Sequence, residues 1–264
     1  MKNTAVEVPD VYVDVRGHGS DVVFLHGWGL HSGIWGQVAD DLTNNWRVHL
    51  VDLPGHGRSI FSSGHDSRLE AFTDPVLQAV PEQAVWVGWS LGGMFATSIA
   101  ANYPERVKKL VLVSSSPRFV SDDFWPHALS ADVLEQFSHE LETDYEHTLS
   151  RFLSLQTRST DNARDDLRKL REQLFDHGNP SMKGLRAGLD ILRNEDLRSQ
   201  LASLQCPVLS IMGERDSLTP CSITDPMKAL LPAMKLAVIE KAGHAPFLSH
   251  RNEFVRVLTD FIND

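Results

Sequence analysis

The stretch Val85-Trp86-Val87-Gly88-Trp89-Ser90-Leu91-Gly92-Gly93 constrains this chain more than any other. A short apolar, β-branched run leads into Gly-x-Ser-x-Gly, and a helical pattern follows from Met94 to about Tyr103. Strand, tight turn and helix in that order put a serine at the tip of a strained turn. Its hydroxyl projects outward, beside the N–H groups that open the helix. Glycine is required at 88 and 92 because a side chain there would collide with the neighbouring strand and helix. Gly-x-Ser-x-Gly alone is common by chance; the strand before it and the helix after it give it weight.

The rest of the chain repeats that rhythm. Strand patterns cover 11–15, 22–25, 46–51, 110–113, 207–212 and 236–239. Helical patterns cover 35–42, with Ser32 as N-cap, then 69–80, interrupted by Pro75, and 254–262 at the end. Alternation of this kind predicts an α/β fold, a mostly parallel sheet with helices on both faces and the ligand site at the carboxyl ends of the strands. Three loops with unusual chemistry leave strands at that edge: 26–29, 52–59 and 88–92. Between 119 and 192 the pattern is helical with no convincing strand. The expected organisation is a core of residues 1–118 and 193–264 carrying a helical lid insertion, 119–192, over the active edge. With 264 residues, the chain is long enough to bury roughly three-quarters of its unfolded surface without a staple.

A serine hydroxyl becomes a nucleophile only when a base takes its proton, and that base needs a third group to orient it. Gly213-Glu214-Arg215-Asp216 follows one late strand and Gly243-His244-Ala245 the next, so both loops fall on the edge that carries Ser90. The order Ser90, Asp216, His244 is the one this strand–turn–helix arrangement uses. Separately, each has a bland reading. His244 is one of 12 histidines, Asp216 could cap a helix, and Glu214 is a rival carboxylate; Asp216 is preferred. The loop His26-Gly27-Trp28-Gly29 supplies the fourth piece. The backbone N–H groups of Trp28 and Leu91 are the expected donors to the oxyanion of an acyl-transfer intermediate. In 52–59, Asp52 and Arg58 are suited to pairing beneath the site, and His56 is expected to be solvent-facing or a wall residue.

Composition narrows the partners. A formal net charge of −10 argues against nucleic acid. The first residues lack an apolar targeting core and no run approaches a membrane span. Cys206 and Cys221 make no disulfide framework. A cytoplasmic monomer without metal or cofactor is expected.

The segments Leu25-His26-Gly27-Trp28-Gly29, Asp52-Leu53-Pro54-Gly55-His56-Gly57-Arg58-Ser59, Gly88-Trp89-Ser90-Leu91-Gly92-Gly93 and Gly243-His244-Ala245-Pro246-Phe247 together resemble the α/β-hydrolase superfamily. More narrowly, with Trp28 and the lid segment Arg151-Phe152-Leu153-Ser154-Leu155-Gln156-Thr157, the chain is similar nearly end to end to the BioH-type pimeloyl-[acyl-carrier protein] methyl ester esterases of biotin synthesis. The resemblance implies hydrolysis of a pimeloyl methyl ester borne on acyl carrier protein, through Ser90, His244 and Asp216. It implies that Trp28 and Leu91 hold the carbonyl, and that Phe152, Leu153, Ser154, Leu155 and Gln156 line the acyl channel.

The residues of the lid agree with a carrier partner. On a helix starting near Asp161, Arg164, Arg168 and Arg171 form one stripe, and Arg151 and Arg158 lie seven apart on the preceding run. Carrier protein is acidic and its arm bears a phosphate, so Arg151, Arg164 and Arg168 are expected to meet it. Interleaved Asp161, Asp165, Asp166 and Glu172 equally suit an ordinary solvated, salt-bridged face. His147 stands where a further basic residue is expected, with Arg158 placed to compensate. The alternatives are a general short-chain carboxylesterase or a carbon–carbon bond hydrolase of the same fold, and, from a different class, a ligand receptor with a nearly silent site. Families with an aspartate nucleophile are disfavoured by Ser90.

Overall fold

The structure is a computed structural model that describes residues 10–62, 68–157, 163–174 and 176–264. Its strands are β1 (Val13–Gly17), β2 (Ser20–Leu25), β3 (Trp46–Val51), β4 (Ala84–Trp89), β5 (Val107–Val113), β6 (Val208–Gly213) and β7 (Lys235–Ile239). They form one sheet in the order β1-β3-β2-β4-β5-β6-β7. β1 runs antiparallel to β3, and every other neighbouring pair is parallel.

Parallel strands need crossovers, and the helices that make them cover both faces. The helices are α1 (Gly36–Leu42), α2 (Glu70–Ala79), α3 (Leu91–Asn102), α4 (Ala131–Thr143), α5 (Tyr145–Thr157), α6 (Ala163–Gln173), α7 (Met182–Asn194), α8 (Arg198–Ser203), α9 (Thr224–Leu230), α10 (Pro246–Ser249) and α11 (Arg251–Asn263). β4, in the middle of the sheet, is buried along its whole length. That is why its sequence is a continuous apolar run and does not alternate. Helices α4 to α8 all fall between β5 and β6, as two isolated bridges pairing Val120 with Leu129 and Asp122 with Trp125 precede them. No helix of the described residues is long and apolar enough to cross a membrane.

Three local expectations are corrected. α3 begins at Leu91, directly after the turn, and not at Met94. Its first turn contains two glycines of poor helix propensity, so packing and not propensity sets its start. A 3-10 turn, Ser32–Trp35, precedes α1, and its cap is the ring of His31, which accepts from Gly33 N–H. The Ser32 N–H is spent on Asp52 Oδ1 at 2.8 Å. His56 is fully buried and does not face solvent.

Candidate active site

Ser90 sits where β4 ends and α3 begins, with φ 54° and ψ −119°. That positive φ costs a non-glycine residue energy and persists only because its surroundings fix it. Three main-chain contacts do so. Ser90 N–H donates to Val113 O at 3.0 Å, and Ser90 O accepts from Gly93 N–H at 3.0 Å and from the Ser115 hydroxyl at 2.7 Å. The glycines are there for close approach. A Cβ at 88 would fall on the Gly92 carbonyl, and one at 92 would lie 2.6 Å from the carbonyl oxygens of Leu25 and His26.

Asp216 follows β6 and His244 follows β7, so both reach the carboxyl edge of the sheet two and three strands away from β4. Their side chains are wholly buried, and His244 Nδ1 lies 2.8 Å from Asp216 Oδ2. Asp216 Oδ1 accepts from the N–H groups of Leu218 at 2.8 Å and Thr219 at 3.0 Å, and Oδ2 accepts from the Thr219 hydroxyl at 2.5 Å. Burial pushes this carboxyl up, but the His244 imidazole and the Thr219 donors outweigh it and hold it below the ordinary carboxylate value. A carboxylate on Nδ1 fixes the tautomer that presents Nε2 as base. Nε2 is buried and, among the described residues, has no hydrogen-bond partner, the Ser90 hydroxyl included. Catalytic hydrogen bonds of this kind commonly tighten only when substrate is bound. His244 is held next to the turn from its main chain: its carbonyl accepts from Trp89 Nε1 at 2.7 Å. Glu214, the rival carboxylate, turns away and accepts from Lys241 N–H at 2.8 Å.

Trp28 follows β2. Among the described residues neither its main-chain N–H nor that of Leu91 has a protein acceptor, and Leu91 opens α3 with the orphan donors of a helix N-terminus. The Trp28 ring is clamped by the helical segment. Its Nε1 donates to Leu185 O on α7 at 2.8 Å, and its ring meets Phe152 of α5 edge-on at 4.9 Å. α7 approaches so closely that a Cβ at Gly188 would lie 2.9 Å from Trp28 Cδ1 and 3.2 Å from Leu91 Cδ2.

The predicted acyl-channel residues occupy the last turns of α5. Phe152, Leu153 and Gln156 are buried there, while Ser154 and Leu155 are half-buried. Ser154 spends its hydroxyl on Ser150 O of its own helix at 2.9 Å. The Gln156 carbonyl accepts from His244 N–H at 3.2 Å, and its side-chain Oε1 is buried without a partner among the described residues.

Beneath the site Asp52 and Arg58 pair as expected, Nε to Oδ2 at 3.0 Å. Burial raises the Asp52 carboxyl, yet the donors from Ser32 and Arg58 bring it down to about 2. His26 is a neutral strut: Nδ1 donates to Gly27 O at 2.8 Å and Nε2 accepts from Leu53 N–H at 2.9 Å. Burial and the nearby His56 lower its pKa to about 3, and burial takes His56 to about 4. Among the described residues, three potential ligand atoms of His31, Asp52 and His177 lie within 4.8 Å of one another. Both Asp52 oxygens are already taken, Oδ1 by the Ser32 N–H and Oδ2 by the Arg58 N–H and guanidinium, and the His31 ring packs against His177 with centroids 4.1 Å apart.

Of the predicted carrier contacts, Arg164 and Arg168 are exposed on α6. Arg168 makes an i,i+4 pair with Glu172 at 2.8 Å, and Arg164 has no ion pair among the described residues. Arg151 is engaged within the helical segment, paired with Glu140 and lying 5.0 Å over the Phe137 ring. Arg158 and Asp161 lie outside the described residues. The supporting groups Ser115, Thr219, Leu185 and Gly188 are not marked by any sequence motif; the nearest hint is the serine run 114–116 at the end of β5.

A family model described as alpha/beta hydrolase fold matches residues 22–251. Similar relatives include the pimeloyl-[acyl-carrier protein] methyl ester esterase of Serratia marcescens, 44% identical over 254 residues that cover 96% of this chain and 98% of that one. The protein of the same name from Chromobacterium violaceum is 43% identical over 253 residues, covering 96% and 98%. Among solved structures, an esterase from Exiguobacterium antarcticum superposes with a TM-score of 0.87 at 24% identity, over 96% of each chain, a likeness of fold.

Proposed function

We propose, from the premise that this chain belongs to the alpha/beta hydrolase fold family and within it to the pimeloyl-[acyl-carrier protein] methyl ester esterases, that it hydrolyses the methyl ester of a pimeloyl chain carried on acyl carrier protein. In this reading Ser90 Oγ attacks the ester carbonyl while His244 Nε2 takes its proton. The oxyanion forms between the N–H groups of Trp28 and Leu91, donors worth about 3–4 kcal/mol each where similar ones have been removed. His244 then passes the proton to the departing methoxide, which leaves as methanol. Water attacks the acyl-enzyme, His244 takes a proton from it, and collapse returns it to Ser90 and frees the pimeloyl carboxylate. Asp216 keeps the imidazole oriented and balances its charge throughout.

The observation that carries this reading is the buried His244–Asp216 pair at 2.8 Å, on a loop fastened by Trp89 to the turn that holds Ser90. Helices α4 to α7 act as the lid, with Phe152 to Gln156 along the acyl chain. Arg164 and Arg168 face the acidic carrier, while Arg151 joins α5 to α4. The enzyme works as a cytoplasmic monomer. A general short-chain carboxylesterase is the competing reading.

The test has two arms. Ser90→Ala and His244→Ala should each lose at least about 10³-fold in kcat; near-normal turnover by either ends the triad. The ratio of kcat/KM for the pimeloyl-carrier methyl ester against a butyrate ester decides the substrate. A ratio near one favours the general esterase.

A further inference from the structure

We infer that Thr219 is a positioning residue for the base: its hydroxyl shares the Asp216 oxygen that orients His244 and so sets how readily His244 takes a proton. This rests on the Ser90–His244–Asp216 reading and deepens it. Asp216 Oδ2 has two donors, the Thr219 hydroxyl at 2.5 Å and His244 Nδ1 at 2.8 Å, while Thr219 Oγ1 is a further 3.4 Å from that same nitrogen. The three atoms form a closed, buried triangle in which Thr219 is 1% exposed. Oδ1 is occupied by two main-chain N–H groups, so the carboxylate cannot rotate to escape the competition.

Two consequences follow from elementary electrostatics. A hydroxyl donating to Oδ2 withdraws charge from the oxygen that stabilises the imidazolium, so it makes His244 less basic. The same hydroxyl keeps Asp216 ionised in a site where burial favours the neutral acid. Removing it leaves Oδ2 with the imidazole as its sole donor, which strengthens the pull on the Nδ1 proton. Of the ionisable groups nearby, Cys221 is a half-buried thiol that burial, Asp216 and Glu214 push up, and Glu214 accepts from Lys241 N–H. Neither bonds to Oδ2. No motif distinguishes Thr219 in the sequence; it lies three residues past the acid, and only the turn 216–219 brings its hydroxyl back.

The test is the pH dependence of kcat/KM for a small p-nitrophenyl ester in Thr219→Val, which keeps the shape and removes the hydroxyl, and Thr219→Ser, which restores it. The acid limb should move to higher pH by ~0.5–1 unit in Thr219→Val and return to the wild-type position in Thr219→Ser. Thr219→Ala serves in place of valine if the latter does not fold. The downfield Nδ1 proton of His244, followed by NMR, should shift with the same pattern. An acid limb unmoved in a folded hydroxyl-free variant, or moved equally in Thr219→Ser, overturns the inference and leaves the triad standing. Activity retained by His244→Ala removes the triad itself.

Discussion

The main-chain N–H of His244 donates to the carbonyl of Gln156 at 3.2 Å, tying the loop of the base to the last turn of α5. Beside it, the Ser217 hydroxyl donates to Leu155 O at 3.2 Å. The final carbonyls of a helix have no partner within the helix, and here the loops bearing the acid and the base supply one each. The hydrogen bonds that dock α5 are therefore the same ones that hold these two loops. Phe152 anchors that docking through edge contacts to Trp28 at 4.9 Å and Phe137 at 5.4 Å. Phe152→Ala should cost about 3–5 kcal/mol of stability and also lower kcat on a butyrate ester. Urea unfolding and butyrate turnover check both, and an unchanged kcat would uncouple α5 from the site.

Gly188 separates α7 from the loop after β2 that carries Trp28. A Cβ there meets the buried Trp28 ring at 2.9 Å, and the ring is pinned by its bond to Leu185 O. It has nowhere to move without carrying its own backbone N–H. Gly188→Ala should lower kcat about tenfold with KM nearly unchanged, since a donor displaced by a few tenths of an ångström weakens transition-state binding. Steady-state kinetics decides this; a gain in stability from the added methyl with full activity would show the contact is slack.

Reversal of charge on α6 separates docking from a merely solvated face. The Arg168–Glu172 pair is exposed on both sides and worth no more than about 0.5 kcal/mol, so its loss is structurally cheap. Arg164→Glu with Arg168→Glu should raise KM for the carrier-linked ester about tenfold or more, salt-dependently, and leave p-nitrophenyl butyrate untouched. Equal effects on the two substrates would mean the stripe only keeps α6 in water.

Acid should unfold this protein early. His26 and His56 titrate at about 3 and about 4 because burial excludes their charged forms. Unfolded, both return to about 6.5. As pH falls below that value the unfolded chain binds protons the folded one refuses, and stability is lost progressively, by on the order of 3 kcal/mol for each by pH 4. Asp52, held at about 2, adds a further loss only as pH drops below about 4. Urea midpoints between pH 7 and 4.5 should decline steadily; a flat response down to pH 5 contradicts the neutral buried pair.

Much of this was legible in the chain because it is local. Period-two and buried apolar runs gave the strands, and a strand–serine–helix succession gave the turn. The two late loops put a carboxylate and an imidazole at the edge of the sheet that carries Ser90. Charge concealed one boundary: β5 begins at Val107, but Lys108 and Lys109 interrupt its apolar run, and Lys109 reaches Phe261 O at 2.9 Å. Burial of polar residues was not legible either. His56 looks like a surface imidazole until its Nδ1 is seen donating to Pro54 O at 3.1 Å, packed 5.3 Å from His26. Thr219, Ser115 and Gly188 escape notice because their importance lies in one atom, or its absence, set against a partner distant in sequence or brought back by a turn.

Trp28 belongs to two parts of the molecule at once: its amide lies on the loop after β2, and its indole hangs from Leu185 and packs under Gly188 of α7. Recombination between relatives could not trade the helical cap for another as an independent cassette. Positions 28, 185 and 188 would have to be inherited together, and a chimera that split them would lay its helices over a Trp28 that had lost its bond to Leu185 and its seat under Gly188.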